Sequence, residues 1–172
     1  QGGPFNNNIA GICVGLGEAL KPDFKKYAEQ ILKNARMLAL ELSKYDFTIV
    51  SGGTDKHLVL VDLTNKGIFG KKTARALNIA GIVLNMNTMP YEKRTPVDPS
   101  AIRLGPPLVT TRGMKEPEMK LIAHWIDKVV NAVLPLKELE FEKFQTEVAK
   151  LKEIKDVNSE VKKLCAKFPL AF

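Results

Sequence analysis

The sequence predicts a small α/β fold entered through helices. Three observations carry this. Apolar residues recur at helical spacing from Phe24 to Leu42, then switch to short extended runs bounded by glycine and proline, then return to helical spacing towards the C-terminus. Hydrophobic residues are 45% and charged residues 26% of the 172 positions, a balance that buries a core and excludes a disordered polymer.

The elements follow in order. Gly2-Gly3-Pro4 lead into Asn6-Asn7-Asn8, a run placed to cap a helix. Residues 9–20 are apolar all round and contain Gly11, Gly15 and Gly17, the pattern of a buried helix that another backbone approaches closely. Pro22 suits a first helical position, and Phe24, Tyr27, Ile31, Ala35, Leu38 and Leu42 form the stripe of a long helix ending near Lys44. Residues 47–50 and 57–63 read as strands around a 51–55 turn. Residues 70–80 read as a helix with Gly81 as its C-terminal cap, and 82–84 as extended. The polar stretch 85–100 carries Pro90, Pro96 and Pro99 and is too long for a simple connection. Residues 101–104 are extended, Gly105-Pro106-Pro107 breaks the run, and 108–111 read as extended again. Glu116-Pro117 opens a helix whose stripe is Met119, Ile122, Ile126, Val129 and Val133, and Pro135 ends it. Helices over 136–155 and 159–167 complete the chain.

Several function classes fall away. Cys13 and Cys165 stand far apart and outside any Cys/His cluster, so neither a zinc site nor a disulfide framework is expected, and a reducing compartment is. No apolar run approaches the ~18–20 residues of a membrane span. No basic-then-apolar leader is visible, and a start at Gln1 fits either processing or a segment of something longer. The net charge of +7 attracts polyanions. The excess is scattered in pairs such as Lys25-Lys26, Lys71-Lys72 and Lys93-Arg94, and no basic stretch is interleaved with aromatics, so nucleic acid is not the favoured partner. No triad, P-loop, metal-binding or dinucleotide motif is present, so no catalytic group is assigned within this chain.

Five places remain as candidates. Gly2-Gly3 precede a helix and form either an anion-binding nest or a plain entry loop. Arg103 stands between apolar neighbours on a strand after the long loop. Its planar fork suits a carboxylate, or it occupies the wet face of an alternating strand. Arg112 reads as a support for a loop or for Arg103. His57, at a strand start, reads as a turn-bonding histidine, and His124 as solvated. Asn87 stands where a strand enters the long loop; its amide either reads the edge of a heterocycle or pins its own loop.

Taken together, the strings QGGP, SGGTDKHLVLVDL, KGIFGKKTARAL, NMNTMP, AIRLGPPLVTTRGMKEPEM and LCAKFPL resemble serine hydroxymethyltransferases along essentially the whole chain. The resemblance implies an aspartate-aminotransferase-like (fold-type I) enzyme that depends on pyridoxal 5′-phosphate and uses tetrahydrofolate as cosubstrate. Residues 1–20 would end the large cofactor-binding domain, 21–44 would be a connecting helix, and 45–172 the C-terminal small domain. By the same resemblance Arg103 grips the substrate carboxylate, Gly2 and Gly3 approach the cofactor phosphate of a neighbouring subunit, Asn87 meets the pterin ring, and Arg94 lies near the folate glutamate tail. Arg112 and His57 support. The cofactor lysine would lie upstream of Gln1, so the segment alone is expected to be inactive. The implied partners are the N-terminal part of the same enzyme, a second copy in a homodimer or higher oligomer, and serine, glycine and folate. The implied compartment is the cytoplasm, with an organelle left open. Departures from the family pattern stand at Phe5, Asn7, Lys56 and across 95–101. The residues themselves leave a second reading open, a non-catalytic small domain that binds protein or RNA.

Overall fold

Pro22 has no amide hydrogen to leave unpaired, so it opens α2 (Pro22–Lys44) at no hydrogen-bonding cost. The computed structural model describes residues 3–170. Before α2 lies α1 (Asn6–Ala19), and after it come β1 (Thr48–Ile49), β2 (Val59–Asp62), α3 (Gly70–Ile79), β3 (Asn85–Asn87), β4 (Ala101–Leu104), α4 (Pro107–Thr111), α5 (Glu116–Val133), α6 (Phe141–Val148) and α7 (Lys152–Lys167). The expected α/β class is met by a small antiparallel sheet and many helices.

The sheet order is β1-β2-β4-β3, antiparallel throughout. Alternation sorts its side chains. Val59, Val61 and Ile102 turn inward and are buried, whereas Leu60, Asp62 and Arg103 turn outward. The inner face packs on α2 and α3, which in turn pack on α5, and Leu42, Val61, Ile102, Met119, Ile126 and Phe144 are wholly enclosed in this core. Full burial of each such side chain contributes about 1.5–3 kcal/mol.

A polar latch fixes α2 to the start of α5. Asn34 is fully buried; its amide nitrogen donates to Thr110 Oγ1 (2.8 Å) and to the Met114 carbonyl (3.0 Å). Its oxygen accepts from Gln30 Nε2 (3.0 Å), which also donates to Glu116 (2.9 Å). Tyr27 adds a hydroxyl contact to Thr111 at 2.8 Å.

Several expectations are corrected. The helix over residues 9–20 is present, but every residue of α1 is exposed, because no surface of the described chain covers it. The Asn6-Asn7-Asn8 run does not cap it: the helix begins at Asn6, with Phe5 in the cap position and no side-chain cap bond. Phe24 is exposed because the first turns of α2 project beyond the core. The third strand is 85–87 rather than 82–84, since Gly81 and the turn it closes hold 82–84 off the ladder. Residues 108–111 are helical, not extended. Pro107 opens α4, and Thr110 and Thr111 return their hydroxyls to the carbonyls of Pro106 and Pro107 (2.8 and 3.0 Å), which absorbs their extended preference. The last two helices divide at 149–151, not near Asn158. That asparagine sits inside α7 and donates to the Ile79 carbonyl (3.1 Å).

Truncating Asn34 strands Thr110 and the Met114 carbonyl inside the core. Asn34→Ala is expected to lower unfolding free energy by about 1–3 kcal/mol in a denaturant titration. A change below about 0.5 kcal/mol would show the latch to be dispensable.

Candidate functional site

The candidate site forms on the outer sheet face because β4 is paired on both sides. Arg103 stands opposite Leu60 of β2 and Asn85 of β3. Two residues along, Ala101 stands opposite Asp62 and Asn87. The period of two therefore puts Arg103, Asn85 and Asn87 on one face, with Arg103 and Asn87 diagonal neighbours, a spacing of about 7–8 Å. The Arg103 side chain is exposed, and none of the ion pairs among the described residues includes it.

An open groove of about 390 Å³ surrounds that guanidinium, walled by His57, Leu58, Val83, Asn85 and Gly105. Backbone packing shapes the groove. A Cβ added at Gly105 would sit 2.5 Å from the His57 carbonyl oxygen, so the β4 exit approaches the β2 entry only without a side chain there. The groove presents a cation, an amide and an imidazole to water. That set can hold a carboxylate by paired N–H donors.

The other predicted residues are placed as follows. Gly2 lies outside the described residues. Gly3 precedes α1, with nothing within 4 Å of an added Cβ. Asn87 is partly buried and donates to the Thr88 carbonyl at 2.5 Å. Arg94 is engaged: it pairs with the Asp98 carboxylate, donates to the Asp98 carbonyl (3.0 Å) and lies 3.6 Å from the Phe69 ring centroid. Arg112 is remote from Arg103 in its bonding; its Nε and terminal nitrogen donate to the carbonyls of Phe168 (2.7 Å) and Cys165 (2.6 Å), which ends α7. His57 is exposed at the groove wall, and His124 is exposed, with Nδ1 3.3 Å from the Tyr45 hydroxyl. A separate, largely apolar cavity of about 320 Å³ lies among Met114, Trp125, Leu164 and neighbours. Among the described residues no His/Cys/Asp/Glu cluster is set to hold a metal, and no helix is long and apolar enough to cross a membrane.

Sequence reasoning missed Asn85 and Glu92. Asn85 was hidden by placing the strand three residues early; the Asn85-x-Asn87 spacing was the available signal. Glu92 sits in the 88–100 loop, where no periodicity points to it. Its Oε1 accepts from Ser100 Oγ (2.7 Å) and the Arg94 amide (2.9 Å), and its Oε2 from the Ser100 amide (3.0 Å). The Ser100 amide, then the Arg94 amide, then the Ser100 hydroxyl stabilise the ionised form and draw the carboxyl from its ordinary 4.5 to about 2.

Comparison with known proteins bears on this geometry. The family model described as serine hydroxymethyltransferase matches residues 1–126, which includes every strand and the whole groove. The chain is 58% identical over 133 residues to a serine hydroxymethyltransferase of Acidothermus cellulolyticus, taking in 77% of this chain and 31% of that protein. It is 53% identical over 126 residues to a serine hydroxymethyltransferase of Acidobacterium capsulatum, taking in 73% of this chain and 30% of that protein. The chain thus spans about a third of the length of the curated relatives it matches.

The Glu92 bonds give the site a defined acid sensitivity. Because the folded carboxyl titrates lower than the unfolded one, its contribution is complete above 4.5 and fades as pH falls from there through about 2. Arg94 and Asp98, which pair with each other, are the charged groups beside it. Amide protection across 88–100, referenced to α5, is expected to decline over that window. Protection that stays flat would remove Glu92 as the cause.

Proposed function

The chain belongs to the serine hydroxymethyltransferase family, and on that premise we propose that it supplies the substrate-carboxylate and folate side of an enzyme interconverting serine and glycine, with tetrahydrofolate carrying the one-carbon unit. The observation that carries the reading is Arg103, an exposed guanidinium in an open groove, held by strand pairing on both flanks.

In this reading Arg103 binds the amino-acid carboxylate through two parallel N–H bonds. That contact fixes the orientation of the substrate at the reacting centre, which is the main rate advantage a binding residue provides. Asn85 and His57 line the same groove and limit where the carboxylate stands. Asn87, on the same face, presents its amide to the pterin, and Arg94 borders the path of the glutamate tail. Arg112 and the α7 end it caps brace the far side of the domain.

Pyridoxal 5′-phosphate would supply the electron sink for the bond rearrangement. The open space at Gly3, ahead of the α1 N-terminus, suits the approach of a phosphate, with Gly2 beside it in sequence. The lysine that carries the cofactor is assigned to the remaining two thirds of the enzyme. The assembled protein is then a fold-type I homodimer or larger, acting in the cytoplasm. In it residues 1–20 belong to the large domain, 21–44 connect, and 45–172 form the small domain. The exposed apolar surface of α1 supports contact with that remainder.

In the enzyme assembled from this chain and its remainder, Arg103→Ala is expected to abolish serine turnover while cofactor content, read by absorbance, stays normal. Loss of one partner of such a pair costs about 2–5 kcal/mol, so serine affinity falls at least about thirtyfold. Arg103→Lys should recover part of it, keeping the charge and losing the fork. Near-normal serine affinity in the alanine variant would reject the assignment.

A further inference from the structure

Asn87 has a weak hold on its position. It ends β3, a three-residue strand at the sheet edge, and its amide bonds only within that strand and its exit, donating to the neighbouring Thr88 carbonyl and accepting a long contact from Asn85 (3.5 Å) among the described residues. Arg103, by contrast, is fixed by partners on both sides. The two arms of the 88–100 loop differ in the same way. The returning arm is tied to the body of the fold: the Gly70 amide donates to the Pro99 carbonyl (2.8 Å) and the Leu63 amide to the Ser100 carbonyl (3.1 Å). Gly70 admits no side chain there, since an added Cβ would lie 2.4 Å from the Ala101 oxygen. The outgoing arm, which leaves Asn87, has no comparable anchor to α3 or β2 among the described residues. At its base Glu92 joins it to the fixed arm, and at the loop tip the Arg94–Asp98 pair does so.

The carboxylate spans the two arms. It sits one turn past Met89, whose carbonyl accepts from the Glu92 amide (3.1 Å), and it takes three donors from Ser100 and Arg94. Ser100 is buried and immediately precedes Ala101, the register partner of Asn87. The closure therefore falls at the base of the loop, directly beyond the Asn87–Ala101 pair. Arg94, folded onto Phe69 and Asp98, keeps the loop tip against the start of α3.

We propose that Glu92 is a positioning residue for the folate face: by clasping Ser100 and the Arg94 amide it holds the outgoing arm of the 88–100 loop and so sets where the Asn87 amide stands relative to Arg103. The proposal rests on the reading that Asn87 faces the pterin. Glu92 touches neither ligand, and it lies outside the apolar core, so its loss loosens the Asn87 side while leaving the Arg103 side intact.

The test uses Glu92→Gln, which keeps the shape but turns a donor towards donors, with Glu92→Asp as the conservative variant. In the assembled enzyme, Glu92→Gln is expected to raise KM for a reduced folate about tenfold and to move KM for serine less than about twofold. In this chain itself, amide exchange across 88–100 should quicken about tenfold in Glu92→Gln while exchange in α5 is unchanged, and Glu92→Asp should recover part of both effects. Equal rises in the two KM values, or an unchanged folate KM, would overturn the positioning role. An unchanged exchange pattern would overturn the clasp whatever the activity. Faster exchange in the variant, with no serine–folate turnover in the unsubstituted enzyme, would instead overturn the functional reading and the folate part of the proposal with it.

Discussion

Everything at the candidate site depends on the double pairing of β4. A strand with a hydrogen-bonded neighbour on each side cannot slip by one residue without carrying Ile102 out of the core and Arg103 into it. The cost of placing a guanidinium among Val61, Leu42 and Met119 would be several kcal/mol, far above that of any loop rearrangement. The same apolar pairing that fills the core therefore also holds a charged side chain on the opposite face. The placement of the candidate site inherits its precision from hydrophobic register.

The polar contacts divide into two kinds. The Asn34 network is enclosed, and its role is to fix α2 against the turn between α4 and α5. The Glu92 network lies in a loop near solvent and fixes no core element. Buried polar groups with full partners specify one packing arrangement, because every alternative leaves a donor or acceptor bare. Partly exposed ones leave water as a substitute, so they shape local geometry more than overall stability. The protein uses one kind for its frame and the other beside its groove.

Much of the frame was legible in the sequence. The α2 and α5 stripes, the helix over 70–80 with its glycine cap, and the strand at 101–104 all follow from periodicity and punctuation that agree with each other. The failures have physical causes. Thr110 and Thr111 favour extended backbone locally, but a proline-started turn with accepting carbonyls overrides that preference. Residues 156–158 fall between the two expected helices, yet they lie inside α7, where the Asn158 amide finds a distant carbonyl that no local pattern announces. At the site, Arg103 stood out because an arginine among apolar residues needs a reason. Asn85 and Glu92 did not, since their partners are brought near only by folding, across the β3–β4 pair and the loop between. The polar asparagines there carry no apolar alternation, so the strand was placed three residues early.

The uncovered apolar face of α1 has a consequence for how the chain behaves in solution. Ile9, Ile12, Val14 and Leu16 are each at least half exposed, on a molecule whose net charge is +7. Like charge keeps such molecules apart over a screening distance of about 10 Å at 0.1 M salt and about 3 Å at 1 M. Attraction between apolar helices is not screened and strengthens in sulfate or phosphate buffers. Colloidal stability of this chain is therefore a contest between two ranges of force, and added electrolyte shifts it towards clustering through the helix.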